Sequence, residues 1–252
     1  MPENIACKTV LKLPQVDSTN AYLEAGINEG RAYKSRSVII SDFQTAGRGN
    51  GNNTWESEAG KNLLISIFYE PIKLKAAQQF YLNMAVSLGV MECITDILDE
   101  EEVSIKWPND IYVDKMKIGG MLIKHSVSGK YLINSILGIG LNVNQQVFNS
   151  NAPNPVSLIH YLKTNQNRDE VLDLLLKSID KRLNQLEAGY LNLLKSDYLK
   201  NLFAFKNYRR FLYENKLINA KITGVSEFGS LQLEVANGEA LECDLKEIKF
   251  VF

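Results

Sequence analysis

A chain of 252 residues has room for one sizeable core, or for a large domain with a small appendage. Its 45% hydrophobic and 23% charged residues are globular averages, which exclude a disordered or fibrous protein. A formal net charge of -1 gives no general attraction to phosphate backbones or anionic membranes, so neither nucleic acid nor membrane is expected as a partner.

Cys7, Cys93 and Cys243 are odd in number and far apart, which fits reduced thiols in core positions better than a disulfide framework. The residues around Glu3 and Lys8 lack the basic and apolar regions of an export signal. No apolar stretch is read as approaching the roughly 20 residues of a membrane-spanning helix. A cytoplasmic enzyme is the class expected.

Asp17-Ser18-Thr19-Asn20 supplies helix-capping residues, and Ala21, Tyr22 and Ala25 recur on one face before Gly26, so a short helix follows. Residues 37–43 and 62–69 read as buried strands separated by a loop rich in Gly and Asn. Helical spacing over 74–98 predicts a long helix that covers one face of a sheet, closed by an acidic, solvated turn over 99–102. Strands are expected over 103–106, 111–113, 117–127 and 131–143, the last two joined by a turn at Ser128-Gly129-Lys130. Such short connections imply a mostly antiparallel sheet. Residues 169–186 form a strongly amphipathic helix expected on that sheet, and alternations over 217–222, 230–235 and 240–243 suggest a small β-barrel.

Three clusters could carry chemistry. In the 44–55 loop, Gly47-Arg48-Gly49 offers close backbone approach and a forked guanidinium for phosphate or carboxylate oxygens, although a plain surface loop has the same composition. It has neither P-loop nor dinucleotide spacing. Trp55 offers a face for a purine ring or an anchor for the loop. In Lys106-Trp107-Pro108-Asn109-Asp110, Pro108 should end a strand and present Asn109 and Asp110 at its rim, as magnesium or polar-ligand groups or as an ordinary turn. Gly138 and Gly140 sit inside a strand pattern, which suggests a tight bend or close approach of a ligand to the backbone, or else a simple bulge. His125 and His160 form no metal pair.

Taken together, Asp17-Ser18-Thr19-Asn20, the 44–55 loop, Lys106 to Asp110, Lys117-Ile118-Gly119-Gly120 and Gly138-Ile139-Gly140-Leu141-Asn142 resemble, in order and spacing, the motifs of biotin protein ligases. The resemblance implies an α+β fold: a mostly antiparallel mixed sheet flanked by helices, of class II synthetase-like type, over residues 1–205, and an SH3-like barrel over 206–252. It implies ATP and biotin as substrates with Mg2+, a biotinyl-5′-adenylate intermediate, and transfer to a lysine of a biotin carboxyl carrier protein of acetyl-CoA carboxylase or a related carboxylase. It also admits a homodimer. Because the Ser18 motif comes so early, the short form without an N-terminal DNA-binding domain is expected.

By the same resemblance, Lys117 contacts the biotin carboxylate and stabilises adenylation, while Arg48 acts on carboxylate and phosphate oxygens. Ser18, Thr19, Asn20 and Gln44 match positions that bind the ureido head of biotin; Gly49, Asn50, Gly119 and Gly140 line the pocket. Trp55 and Asn142 match adenylate contacts. Lys106 and Asp110 belong to the catalytic motif, with Asp110 assigned to magnesium, to orienting Lys117 or to assisting the incoming amine. The loop departs from the commonest pattern, Gly-Arg-Gly-Arg-x-Gly, since Asn50 replaces the second arginine and Asn52 the next glycine, so a weaker grip on the adenylate is expected. Two other readings are a relative that transfers lipoate or octanoate, which substrate comparison would separate, and a silent biotin-binding homologue, which biotin-dependent pyrophosphate release would exclude.

Overall fold

The computed structural model describes residues 9–51, 53–99, 101–150 and 154–251. Cys7, Asn52 and part of the acidic turn therefore lie outside the described residues. In chain order the elements are β1 (Val10–Leu13), α1 (Thr19–Asn28), β2 (Val38–Ser41), β3 (Leu63–Tyr69), α2 (Gln79–Leu98), β4 (Val103–Lys106), β5 (Asp110–Val113), β6 (Met116–Ser128) and β7 (Tyr131–Leu141). Then follow α3 (Leu158–Leu162), α4 (Arg168–Glu187), α5 (Leu191–Lys200), β8 (Arg209–Tyr213), β9 (Lys216–Val225), β10 (Leu231–Val235), β11 (Ala240–Cys243) and β12 (Ile248–Phe250). They form two compact units, Met1–Leu74 with Met116–Leu174, and Lys75–Lys115 with Leu175–Phe252.

In the first unit the strands run β1-β2-β3-β7-β6. Only β1 and β2 are parallel; the other pairs are antiparallel, as short connections require. Every residue of β3 is buried, which explains its nearly continuous apolar sequence. Ser128 pairs with Tyr131 across the expected turn, where Gly129 has φ 57°. One face of the sheet carries Ile39, Phe68 and Ile136, and α1 lays Leu23 against them. Burying a leucine this way contributes roughly 1.5–3 kcal/mol.

The second unit is built on α2, of whose residues Leu82, Ala85, Val86, Leu88 and Ile94 are among those fully shielded from solvent. The helix begins at Gln79, after a 3-10 turn at Ala76–Gln78, five residues later than the periodicity suggests. Contrary to the reading that no stretch is long and apolar enough, Ala76–Leu98 passes that test by length and composition. Most of it, however, is buried within the molecule, so the apolar surplus serves protein packing. Periodicity alone cannot separate a core helix from a bilayer helix.

The amphipathic helix α4 was expected on the sheet, but its described seat is against α2. A Cβ on Gly89 would come within 2.7 Å of the Ile179 Cα, so α4 approaches α2 at backbone distance. Beside this crossing Arg182, only 7% exposed, binds Glu92 of α2 and, at 2.6 Å, Asp197 of α5. A β4–β5 hairpin completes this part of the unit, with Lys106 opposite Asp110.

The five C-terminal strands form an antiparallel sheet in the order β11-β10-β9-β8-β12, which agrees with the expected SH3-like appendage. Its Phe211 packs edge-on to Phe250 at 5.0 Å, and Trp107 donates its indole N–H to Gly229 O at 2.9 Å. Strands β1, β8 and β12 and helices α3 and α5 were not foreseen. They are short or mostly polar at the surface, and give too few apolar positions to show a period.

Arg182→Ala is expected to lower the unfolding free energy by about 3 kcal/mol, because two carboxylates are left facing each other without their shared cation. Urea denaturation followed by circular dichroism measures it. A loss below about 0.5 kcal/mol would class the network with exposed ion pairs.

Candidate functional site

Asn20 and Trp55 meet on one face of the first unit's sheet, where β7 presents Ile136, then Gly138, then Gly140. The opposite residues on β3 are Phe68, Ser66 and Leu64. Pairing is regular through both glycines, so no bulge explains them. A Cβ at Gly138 would overlap the Asn20 amide, and one at Gly140 would overlap the Trp55 indole. The close approach at these glycines is made by the protein's own side chains, Asn20 and Trp55, and not by the ligand expected there.

Asn20 and Thr19 reach that face because α1 starts directly above it. Ser18 is the N-cap residue, yet no side chain of the expected capping run makes the cap bond. Gln44 supplies it: its Oε1 accepts the Thr19 N–H at 2.8 Å and lies 3.1 Å from the Thr19 hydroxyl. Gln44 is brought there by main-chain bonds that extend the β1–β2 pairing, from Thr45 N–H to Val16 O and from Val16 N–H to Phe43 O. The Ser66 hydroxyl donates to Asn20 Oδ1 at 2.6 Å and lies 2.7 Å from the Thr19 hydroxyl, while Asn20 Nδ2 donates to Leu122 O. This is a buried polar platform set in an apolar sheet. Sequence reading missed Ser66, although a hydroxyl inside the fully buried run of β3 must find a partner.

The 44–55 loop ends as a hairpin rather than an open loop. Trp55 N–H donates to Gly47 O at 3.0 Å, Arg48 bridges Thr54, and Gly49 N–H donates to Asn53 O at 2.8 Å. The tip closes from Asn53 N–H to Asn50 O, with Gly51 at φ 65°. A positive φ at the second turn residue marks a primed turn, the kind that suits strand twist. Arg48 and Asn50 are exposed, so the guanidinium projects into solvent from a hydrogen-bonded ladder.

Trp55 lies half-buried on Gly140, and the Lys117 ammonium sits 5.6 Å from its ring centroid. Lys117 is fixed by its main chain, which donates to Asn154 O at 2.7 Å and accepts from Val156 N–H at 2.9 Å. Among the described residues the buried indole N–H of Trp55 has no hydrogen-bond partner, and Asn142 Oδ1 has none either, although Asn142 Nδ2 donates to Val156 O. Leaving such atoms unsatisfied costs about 1–3 kcal/mol each. Gly120 pairs with Gly140 and continues the bare floor, while Gly119 pairs with Leu141 on the alternate phase.

Lys106 and Asp110 belong to the second unit. The Lys106 ammonium lies 5.3 Å from the ring centroids of both Tyr112 and Phe250, a cation–π setting. Asn109 is buried rather than presented at a rim; Tyr198, itself fully buried, donates its hydroxyl to Pro108 O at 2.8 Å and covers the turn. Among the described residues no group of three or more His, Cys, Asp or Glu could hold a metal. His125 pairs with Ser135, and His160 with Ser157 N–H and Gln146 O, so both have structural partners. Burial pushes the Cys93 thiol up to about 12, with Asp96 adding to it, as suits a core position.

The stretch of sequence that carries these residues matches a known family. The chain belongs to the Biotin/lipoate A/B protein ligase family, whose sequence model matches residues 13–142, just over half of it. The bifunctional ligase/repressor BirA of Escherichia coli is 32% identical over 136 residues, covering 54% of this chain and 40% of that protein. The biotin–protein ligase of Homo sapiens is 26% identical over 92% of this chain and 33% of its own length. The chain thus spans about a third to two fifths of these relatives. Among solved structures, the biotin protein ligase of Aquifex aeolicus in complex with biotin and ATP is 26% identical, with a TM-score of 0.77 over 97% of this chain and all of that one. The fold is that of the biotin protein ligases.

Gln44→Ala should destabilise the protein by about 1 kcal/mol through loss of the α1 cap, whereas Gln44→Glu, which keeps an acceptor, should lose less. Thermal melts of the two variants compare them. Equal melting of Gln44→Ala and wild type would remove Gln44 from this role.

Proposed function

We propose that the chain activates biotin with ATP and transfers it to a lysine of a biotin carboxyl carrier protein, the subunit of acetyl-CoA carboxylase or a related carboxylase. The observation that carries this reading is the Trp55 ring seated on Gly140 with the Lys117 ammonium 5.6 Å from its centroid, beside two unsatisfied polar atoms. The likeness to a ligase solved with biotin and ATP supports it.

A carboxylate resists attack by an amine because its carbonyl carbon is electron-rich and has no good leaving group. In the proposed first step a biotin carboxylate oxygen attacks the α-phosphorus, and pyrophosphate leaves. The lysine ε-amine then attacks the acyl carbon and AMP departs. Both steps bring anions together, so cations held in place matter most. Lys117 and Arg48 are assigned to the carboxylate and phosphate oxygens. Ser18, Thr19, Asn20 and Gln44 take the ureido head; Gly49, Asn50, Gly119 and Gly140 line its pocket; Trp55 and Asn142 contact the adenylate.

Mg2+ usually binds through one or two carboxylates together with substrate phosphates, which fits a site without a protein metal cluster. Asp110 is proposed to serve that ion or the incoming amine, whose reference pKa near 10.4 requires it to lose a proton first. Lys106 is assigned to the same motif. The functional division follows residues 1–205 for catalysis and 206–252 for the C-terminal appendage.

Purified protein with ATP, Mg2+, biotin and a carrier domain should yield a biotinylated carrier lysine, with lipoate far poorer in the same assay. Lys117→Met should lower the rate of biotin-dependent pyrophosphate release by about 10²–10³-fold. No biotinylation across several carriers, or faster use of lipoate, would overturn the reading. Asn50→Arg is expected to slow escape of the adenylate, measured by gel filtration of labelled intermediate; unchanged retention would show that the hairpin tip has no part in holding it.

A further inference from the structure

Glu56 has no role in the reading above, yet it joins the two segments that hold the site together. It follows Trp55 directly, so its main chain fixes where the indole leaves the hairpin. Its Oε1 accepts the Asn149 N–H at 2.8 Å, and its Oε2 the Ser150 N–H at 2.8 Å. Gln145 Nε2 approaches Oε1 at 3.5 Å. Two neighbouring main-chain donors on the two oxygens of one carboxylate make a charge-assisted clamp. Partial burial pushes the Glu56 carboxyl up, but the Asn149 main chain and the Ser150 side chain and main chain outweigh it, and the net direction is down.

A few residues further along the chain, Asn154 and Val156 bracket Lys117 on both sides through their main chains. Around the clamp, Gln145 Oε1 accepts from Asn62 Nδ2 at 2.6 Å and from Glu58 N–H at 2.9 Å, which ties the start of β3 to the same strap. Thus one side chain binds Asn149 and Ser150, shortly before the two residues that bracket Lys117, while its sequence neighbour meets that lysine's ammonium.

We propose that Glu56 is a positioning residue that keeps the Trp55 ring and the Lys117 ammonium in register, and so sets the fit of the nucleotide part of the substrate. The proposal rests on the reading of the site as one that activates a carboxylate with ATP. Glu56→Gln preserves size but turns an NH2 toward a main-chain donor; Glu56→Asp keeps the charge and falls one methylene short.

Two measurements on the full chain test it. The first is acrylamide quenching of tryptophan fluorescence without ligand, where Trp107, buried and bonded to Gly229, serves as background. The second is KM for ATP and kcat in biotin-dependent pyrophosphate exchange. Glu56→Gln is expected to increase quenching and to raise KM for ATP about tenfold, with kcat within about twofold of wild type. Glu56→Asp should show both changes at smaller size, and it alone decides the matter if the glutamine variant does not fold. Unchanged quenching with unchanged KM would overturn the proposal, and so would a fall in kcat at constant KM. If the wild-type chain catalyses no exchange, the functional reading fails separately, and the quenching comparison still decides whether Glu56 places Trp55.

Discussion

Two absent side chains, at Gly138 and Gly140, govern how the site can be built. A β-strand normally covers its sheet face with alternating side chains, and on this face the cover stops after Ile136. The bare main chain beyond it admits the Asn20 amide and the Trp55 indole at distances that any Cβ would forbid. Everything else follows from those two arrivals. Asn20 brings α1, its Gln44 cap and the Ser66 hydroxyl, while Trp55 brings the arginine hairpin and the neighbourhood of Lys117. Glycine weakens a strand, so the cost is offset where buried β3 pairs along the whole length of the gap.

The same surface sorts its functional groups by solvation. Neutral amides and hydroxyls, from Asn20, Thr19, Gln44 and Ser66, occupy the buried part and satisfy one another. Charged groups stay near solvent: Arg48 on an exposed ladder and Lys117 half-buried beside an aromatic ring. Full burial of a charge is expensive, whereas a cation near solvent keeps part of its hydration. The second unit handles charge differently, burying Arg182 between two carboxylates to join three helices.

Much of this was legible in the sequence, and the exceptions have physical causes. Strands β6 and β7 and the helix α2 declared themselves through long apolar periods, and the motifs around Arg48 and Lys117 carried the family. The capping run before α1 misled, because Thr19 and Asn20 face the sheet and a residue 25 positions away makes the cap. No local pattern contains that information. The arginine loop read as irregular because a Gly and Asn composition is shared by open loops and tight hairpins alike. Glu56 was not singled out, since its partners are main-chain N–H groups more than 90 residues on and leave no mark in sequence.

The ladder from Gly47 to Trp55 also constrains how this loop can change over evolutionary time. Arg48 stands opposite Thr54, and residues along a strand alternate between faces. Insertion of one residue on the ascending side would turn the guanidinium to the face now held by the glycines, and a second insertion would restore it. The tip at Asn50 can absorb such pairs without disturbing the rungs below. Variation in this loop should thus accumulate at the tip and in even steps, so that the number of arginines drifts while the parity of Arg48 and Trp55 is kept.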